Sequence, residues 1–340
     1  MAGFLSKLTL SIVGLGSKAL LRGGFCSSVT VKGMDNLIRA LESDERNRGR
    51  GIVTMSNHIS TWVLRCASYT DAFTQPWCRL DDPVVWGVLP TRFYRNSRRI
   101  RWTLGASDIM FTNPVFSTFF RYGQVIETFR GKGIFQPAID IAIQKLNRGD
   151  WIHLFSEGKV NQESSDPASP NAARLLRFKW GIGRIVMEAQ QPPIIIPMWL
   201  TGFDKLMPEG RSFPYKFLPR PGVELSVTFG EPVPVQDLQE ALDKLVRERR
   251  LPEAPNSTHD GLADPSRPRE EGLSGAVAEH GWLAQPVSHA MEGMAEHKDI
   301  GDPMLTKEIA RVRSAVTAVI QREVEDLGRR VLGLAKRDLP

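Results

Sequence analysis

At 340 residues, 41% apolar and 24% charged, the chain has the composition of a globular protein with room for one large domain or two ordinary ones. Its net charge of +6, from 44 Lys+Arg against 38 Asp+Glu, is too small to name a partner and matters only where it clusters. The three cysteines, Cys26, Cys66 and Cys78, have no metal-ligand spacing and cannot all pair, which argues against a disulfide framework.

Residues 1–34 carry Lys7, Lys18, Arg22 and Lys32 and no acid. On a helical projection Lys7, Ser11, Lys18 and Arg22 fall on one side and Leu5, Leu8, Ile12 and Leu15 on another, the pattern of a helix lying in a membrane interface. A basic, hydroxyl-bearing, acid-free start is also that of a mitochondrial transit segment, and the two readings are compatible. No run of about 18 uncharged apolar residues exists, so interfacial attachment is expected rather than a spanning helix.

From residue 51 to about 230, short apolar runs alternate with helical stretches, which predicts an α/β fold with a mainly parallel or mixed sheet flanked by helices. Strands are expected at 51–55, 124–128, 151–155, 193–199 and 223–229, and helices at 135–146, 173–189 and 235–249, with Gly149 ending the first helix. Arg92, Arg95, Arg98, Arg99 and Arg101 form a second acid-free basic cluster, interleaved with Phe93, Tyr94 and Trp102. No nucleic-acid motif accompanies it, so no nucleic-acid partner is expected, whereas anionic lipid headgroups fit such a patch.

Residues 251–303 turn to Pro, Gly, Ser, Glu and His with few aliphatics and are expected to be a poorly ordered insertion. Its histidines, His259, His280, His289 and His297, lack ligand-like spacing. Helical periodicity returns over 305–339 through Ile309, Val312, Val316, Val319, Val324, Leu327 and Val331, predicting a helix that packs back on the domain. The chain thus divides into an amphipathic segment 1–34, a main domain 35–250, an insertion 251–303 and a C-terminal helix 304–340.

Three stretches carry chemistry. The run 51–55 leads into Ser56-Asn57-His58, which places an imidazole at the C-terminal edge of a sheet, where open α/β folds hold their ligands. The run 124–128 delivers Arg130-Gly131 and so a guanidinium for a phosphate. Phe155-Ser156-Glu157-Gly158-Lys159-Val160-Asn161 follows another strand and groups a carboxylate, a glycine and a lysine. Each alone has an ordinary explanation, such as a satisfied structural histidine or a salt-bridged glutamate.

In this order, with the proline-bounded strand at 193–197, they resemble the glycerolipid acyltransferase family. Its blocks are a His-(four residues)-Asp pair, an Arg-bearing strand end, a Phe-Pro-Glu-Gly block and a late Pro-containing strand. Within that family the chain is most similar to the mitochondrial phospholipid–lysophospholipid transacylases. That similarity rests on Asp81-Asp82-Pro83 with Trp86-Gly87, Arg101-Trp102-Thr103, Asp150-Trp151-Ile152-His153, Glu157-Gly158-Lys159-Val160-Asn161 and Arg177-Phe178-Lys179-Trp180-Gly181-Ile182-Gly183-Arg184, over roughly residues 50 to 235.

The resemblance implies a glycerol-3-phosphate acyltransferase-like fold and acyl transfer without a covalent nucleophile, and no Gly-x-Ser-x-Gly elbow occurs in the chain. His58 would be the general base and Asp81 would orient its other ring nitrogen. Arg130 and Lys159 would bind the phosphodiester, while Glu157 and Gly158 would shape the headgroup pocket. Neither a cofactor nor a metal is implied. Substrates would be a phospholipid and a lysophospholipid, with cardiolipin and monolysocardiolipin the characteristic pair. The partner would be an anionic surface of the inner or outer mitochondrial membrane facing the intermembrane space. A CoA-dependent lysophospholipid acyltransferase is the competing reading.

Two departures stand out. Ser156 replaces the proline of the third block, and His58 is followed five positions later by Val63 rather than Asp. Removing the 18 residues 62–79 joins Thr61 to Leu80 and gives His-Ile-Ser-Thr-Leu-Asp-Asp-Pro, restoring the spacing with Asp81. The expectation is that 62–79 is a translated retained intron or gene-model error. A Thr61 codon ending in G before the TGG of Trp62 creates a GT boundary, and an AGG codon for Arg79 closes it. A genuine surface loop is the alternative, because loop-closure entropy grows slowly with length. A catalytically impaired, membrane-bound isoform is another, because the insertion displaces Asp81 from His58.

Overall fold

The computed structural model describes residues 2–60, 81–179, 181–212, 215, 218–240, 282 and 303–335. Its strands are β1 Ser28–Lys32, β2 Ile52–Ser56, β3 Trp102–Ala106, β4 Val125–Thr128, β5 Trp151–Leu154, β6 Ile194–Thr201 and β7 Glu224–Phe229. They form one sheet in the order β1-β7-β6-β2-β5-β3-β4. All neighbouring pairs are parallel except β6–β7. Every residue of β2 and β5 is buried, so these strands read as continuous apolar runs rather than alternating ones.

The helices are α1 Ala2–Arg22, α2 Met34–Glu42, α3 Asp81–Val85, α4 Ser107–Met110, α5 Pro114–Tyr122, α6 Pro137–Asn147, α7 Gly181–Met187, α8 Phe203–Leu206 and α9 Pro303–Val331. One face of the sheet packs on α6, α7 and α9 through Ile139, Phe178, Ile182, Val316, Ile320 and Val324. The other carries Leu10, Leu37, Leu41, Val84, Leu89 and Phe93, so the sheet is the middle of three layers. Proline at its first turn starts α6, and Gly149 at φ 72 ends it by accepting the left-handed conformation beyond the cap. Gly149 N–H donates to Leu146 O and Asp150 N–H to Lys145 O.

All five expected strands are present, and two more join them. β1 lies ahead of the boundary drawn at residue 35, at one edge of the sheet, and its residues are largely exposed. β3 sits inside the arginine-rich stretch, where short alternation is swamped by charge. The helix expected over 173–189 is reduced to α7. Ala173 adopts φ 55, and the amides of 175, 176 and 178 donate to side chains of other elements rather than to carbonyls one turn back. The helix at 235 is described only to residue 240, and residues 241–249 lie outside the described residues.

So do residues 61–80, with the questioned segment 62–79, and 251–302 apart from Trp282, whose indole N–H donates to Val186 O at 2.7 Å. Helix α1 packs with Leu10, Gly14, Ser17 and Leu21 toward the protein, and Ser6 Oγ donates to the carbonyl of Tyr122 at the end of α5. Residues 3–22 are long and apolar enough by length and composition to cross a membrane, contrary to the expectation that no such segment exists. That expectation counted uncharged runs, and here Lys7 and Lys18 interrupt an otherwise apolar helix.

Candidate active site

Because β4, β3, β5, β2 and β6 run parallel, their C-terminal ends share one edge, and the segments leaving β2, β5 and β4 bring His58, Glu157 and Arg130 to it. Asn57 fixes the exit from β2. Its side chain donates to Leu200 O at 2.9 Å and accepts from Leu200 N–H at 2.8 Å, mimicking one more rung of the β2–β6 ladder. Next to it, His58 is fully buried, with its ring against Phe155 at 4.7 Å between centroids. Phe155 in turn meets His153 edge-on at 4.6 Å, and His153 meets Trp86 at 4.9 Å.

The Trp151 indole can only donate, so Thr54 Oγ1 accepts it at 2.9 Å, and the same hydroxyl shares a hydrogen bond with His153 Nδ1 at 2.8 Å.

Glu157, expected from sequence to shape a headgroup pocket, has its carboxylate turned inward, and the residue is only 1% exposed. Oε1 accepts the backbone N–H of His58 at 3.0 Å; Oε2 accepts Leu176 N–H and Asn161 Nδ2, both at 2.9 Å. Asn161 N–H closes the loop on His58 O at 2.7 Å. Glu157 therefore clamps the His58 segment to the loops that follow β5. Burial pushes its carboxyl up to about 7, outweighing the hydrogen bonds that favour the ionised form.

A raised carboxyl has a definite sign for stability. Between its unfolded value near 4.5 and about 7 the folded chain holds the proton more tightly than the unfolded one, so this group's contribution is largest below that window and falls as pH rises through it. The margin by which the wild type exceeds Glu157→Gln in thermal midpoint is expected to shrink between pH 5 and pH 8. A margin that stays constant across that range would show that Glu157 is ionised throughout.

Beside this edge lies a cavity of about 1190 Å³, larger than the roughly 300–1,000 Å³ of ordinary small-molecule pockets. Leu10, Val13 and Leu20 of α1, Phe116, Phe119 and Phe120 of α5, and Leu104, Val125 and Ile182 make its wall apolar. Phe155, Ser156 and Gly158 of the loop after β5 and Asp82 of α3 also line it, and Phe155 is a wall residue in contact with His58, which is not itself among the lining residues. Phe119 and Phe129 line the cavity and are also exposed, which places its opening among them.

Besides Arg101, which is paired with Asp82, two cations reach this wall. Arg130 pairs with Asp108 at 3.3 Å, but both are half-exposed, so the pair is weak and the guanidinium is readily given to another anion. The second is Lys179, not Lys159: Lys159 is exposed away from the wall. Gly158 makes room for Lys179. At φ 73 it holds a left-handed turn, and a Cβ there would stand 2.8 Å from Lys179 Cε. Lys179 belongs to the Arg177–Arg184 motif, which was legible as a family signature but gave no hint of which side chain faces the cavity.

Asp81 heads α3, next to the wall residue Asp82, while its side chain lies outside the described residues, as do Cys66 and Cys78. Asp82 accepts from Arg101 Nε at 2.9 Å and from Trp86 Nε1 at 3.0 Å, and Arg101 Nη2 completes a bidentate buried pair. In the basic cluster around it Arg101 is buried, whereas Arg92, Arg95 and Arg98 are exposed. Arg92 and Arg99 pair with Glu42, and Arg98 bonds Asn47 and the carbonyls of Arg46 and Arg148 at the opposite, N-terminal edge of β5.

Comparison with known proteins agrees with this geometry. Residues 28–201 match the acyltransferase family model. The chain is 36% identical over 248 residues to tafazzin of Drosophila melanogaster, covering 73% of this chain but 55% of that protein. It is 34% identical over 232 residues to taffazin of Dictyostelium discoideum, covering 67% and 69%. It is also 34% identical over 209 residues to N-acylphosphatidylethanolamine synthase of Arabidopsis thaliana, covering 61% and 64%.

Proposed function

Because the chain belongs to the acyltransferase family together with the tafazzins, we propose that it moves an acyl chain from a phospholipid to the free hydroxyl of a lysophospholipid without CoA. Cardiolipin and monolysocardiolipin are its characteristic pair. The observation that carries the reading is the large apolar cavity with Arg130 and Lys179 on its wall and Phe155 against His58. An acyl chain fits the phenylalanine-lined interior, and a phosphodiester fits the two cations.

In this reading His58, oriented by Asp81, takes the proton of the acceptor hydroxyl as its oxygen attacks the ester carbonyl. The tetrahedral intermediate then collapses, and the same proton goes to the departing glycerol oxygen, so no acyl-enzyme forms. The family pattern supports Asp81 in that role once 62–79 is looped out or absent.

The membrane supplies both substrates. Helix α1 exposes Phe4, Leu5, Leu8, Ile12 and Leu15, and α5, which packs on it, exposes Val115 and Phe119. This apolar stripe is the one expected from the helical projection, and Phe119 joins it to the cavity opening. We place the protein on a mitochondrial membrane through this face, from which a lipid chain passes into the cavity without crossing water.

The test is an exchange assay on purified protein with labelled phospholipid and monolysocardiolipin in mixed vesicles, with and without acyl-CoA and with and without residues 62–79. Transfer without CoA, faster in the version lacking 62–79, is expected. Strict CoA dependence overturns the transacylase reading, and equal rates in the two versions make 62–79 a tolerated loop. Product analysis separates an ester from the amide suggested by the N-acylphosphatidylethanolamine synthase relative.

A further inference from the structure

Segment 173–179 has no regular secondary structure, yet its amides are tied down alternately from two sides. Leu176 N–H donates to Glu157 Oε2 and Lys179 N–H to Ser156 O, both at 2.9 Å and both to the loop after β5. Leu175 N–H donates to Glu325 Oε1 and Phe178 N–H to Gln321 Oε1, both at 3.0 Å and both to α9. These partners are 150 and 143 residues away in the chain. Gln321 Nε2 also donates to Glu325 Oε1 at 3.0 Å, so the two acceptors act as one unit a single turn apart.

Two successive amides, at 175 and 176, are thus held between carboxylates from opposite sides, Glu325 on α9 and Glu157 on the loop after β5, which also holds the His58 segment. Helix α9 is a firm base for this. Val316, Ile320, Val324 and Leu327 are buried, and Gly183 of α7 approaches so closely that a Cβ there would meet Arg313 O at 2.6 Å. An i,i+4 Gln–Glu pair ordinarily does no more than support its own helix by a few tenths of a kcal/mol. Here both side chains accept backbone protons from another segment.

We infer that Gln321 and Glu325 are positioning residues for the acyl-transfer site, α9 setting segment 173–179 and through it both the Glu157 clamp on His58 and the placement of Lys179. The inference rests on the function proposed above for His58 and Lys179, but its structural half does not need turnover. Losing Glu325 frees Leu175 N–H and lets the 175–176 peptide drift from Glu157, so the His58 segment loosens although nothing touching it has changed. Losing Gln321 acts nearer Lys179.

The test compares Glu325→Ala, Glu325→Gln, Gln321→Ala and the exposed control Arg322→Ala by steady-state kinetics and by amide hydrogen exchange of peptides covering 56–60 and 173–179. Glu325→Ala is expected to lower kcat by at least about tenfold with KM little changed. Gln321→Ala should chiefly raise KM for the lysophospholipid. Glu325→Gln, whose Oε1 still accepts from Leu175 N–H, should restore kcat to within about threefold of the wild type. Exchange should rise in both peptides for Glu325→Ala and in neither for Arg322→Ala.

Faster exchange confined to 173–179, or an equal rise in the control, overturns the inference whatever the activity. So does unchanged kcat in Glu325→Ala with an active wild type. A wild type that transfers no acyl chain fails the proposed function instead, and the exchange arm still decides whether α9 holds the His58 segment.

Discussion

Replacing His58 by glutamine is expected to lower acyl transfer by about 10²- to 10⁴-fold, the range ascribed to a positioned general base, while vesicle binding stays unchanged. Glutamine is the useful choice because His58 is fully buried against Phe155, and alanine would add a void to the chemical loss. Two neighbouring bonds use the backbone of His58 and not its imidazole. The Glu157 carboxylate holds His58 through its backbone N–H, and Asn161 N–H donates to its carbonyl. Activity within about tenfold of the wild type in a variant that melts normally would remove His58 from the chemistry. It would return the residue to the structural role that a lone histidine at a strand end ordinarily has.

That histidine was legible from the sequence because two signals met there, a buried strand and the family pattern. Glu157 shows the limit of such reading. A carboxylate beside Gly158 and Lys159 looks like part of a binding loop, and only the turn of the backbone reveals that it faces inward to three donors. Sequence pointed to Lys159 as the second cation, whereas Lys179 lines the cavity, and the missing Cβ of Gly158 leaves room for its stem. The strands β2, β5 and β6 were plain because burial on both faces leaves an apolar run, whereas β1 has little burial to leave a trace. Segment 173–179 read as helix because its apolar residues are suitably spaced. Its amides are taken by Glu157, Gln321 and Glu325, and no local pattern records partners about 150 residues away.

Arg101→Ala is expected to destabilise the protein by about 3–5 kcal/mol, the cost of stranding one member of a buried pair. Asp82 would keep only the Trp86 indole as a hydrogen-bond donor. Arg101 Nη1 also donates to Gly123 O at 3.1 Å, so the same change cuts the tie between α3 and the turn before β4. The pH dependence gives the mechanism away. Burial alone raises the Asp82 carboxyl, but the charge and hydrogen bond of Arg101, with His153 and Trp86 behind them, hold it below its ordinary value of 3.8. In the wild type this stability is present above 3.8 and is lost as pH falls below it through the folded value. In Arg101→Ala burial dominates, the carboxyl moves above 3.8, and protonating it relieves the fold as pH falls. The deficit against the wild type should therefore narrow steadily from pH 7 to pH 4, and the double change Asp82→Asn with Arg101→Met should recover most of it at pH 7. A deficit independent of pH would mean that Arg101 acts through its packing and its bond to Gly123 rather than through Asp82. Asp82 lines the cavity and follows Asp81 directly, so the same variants should lose acyl transfer in step with their loss of α3.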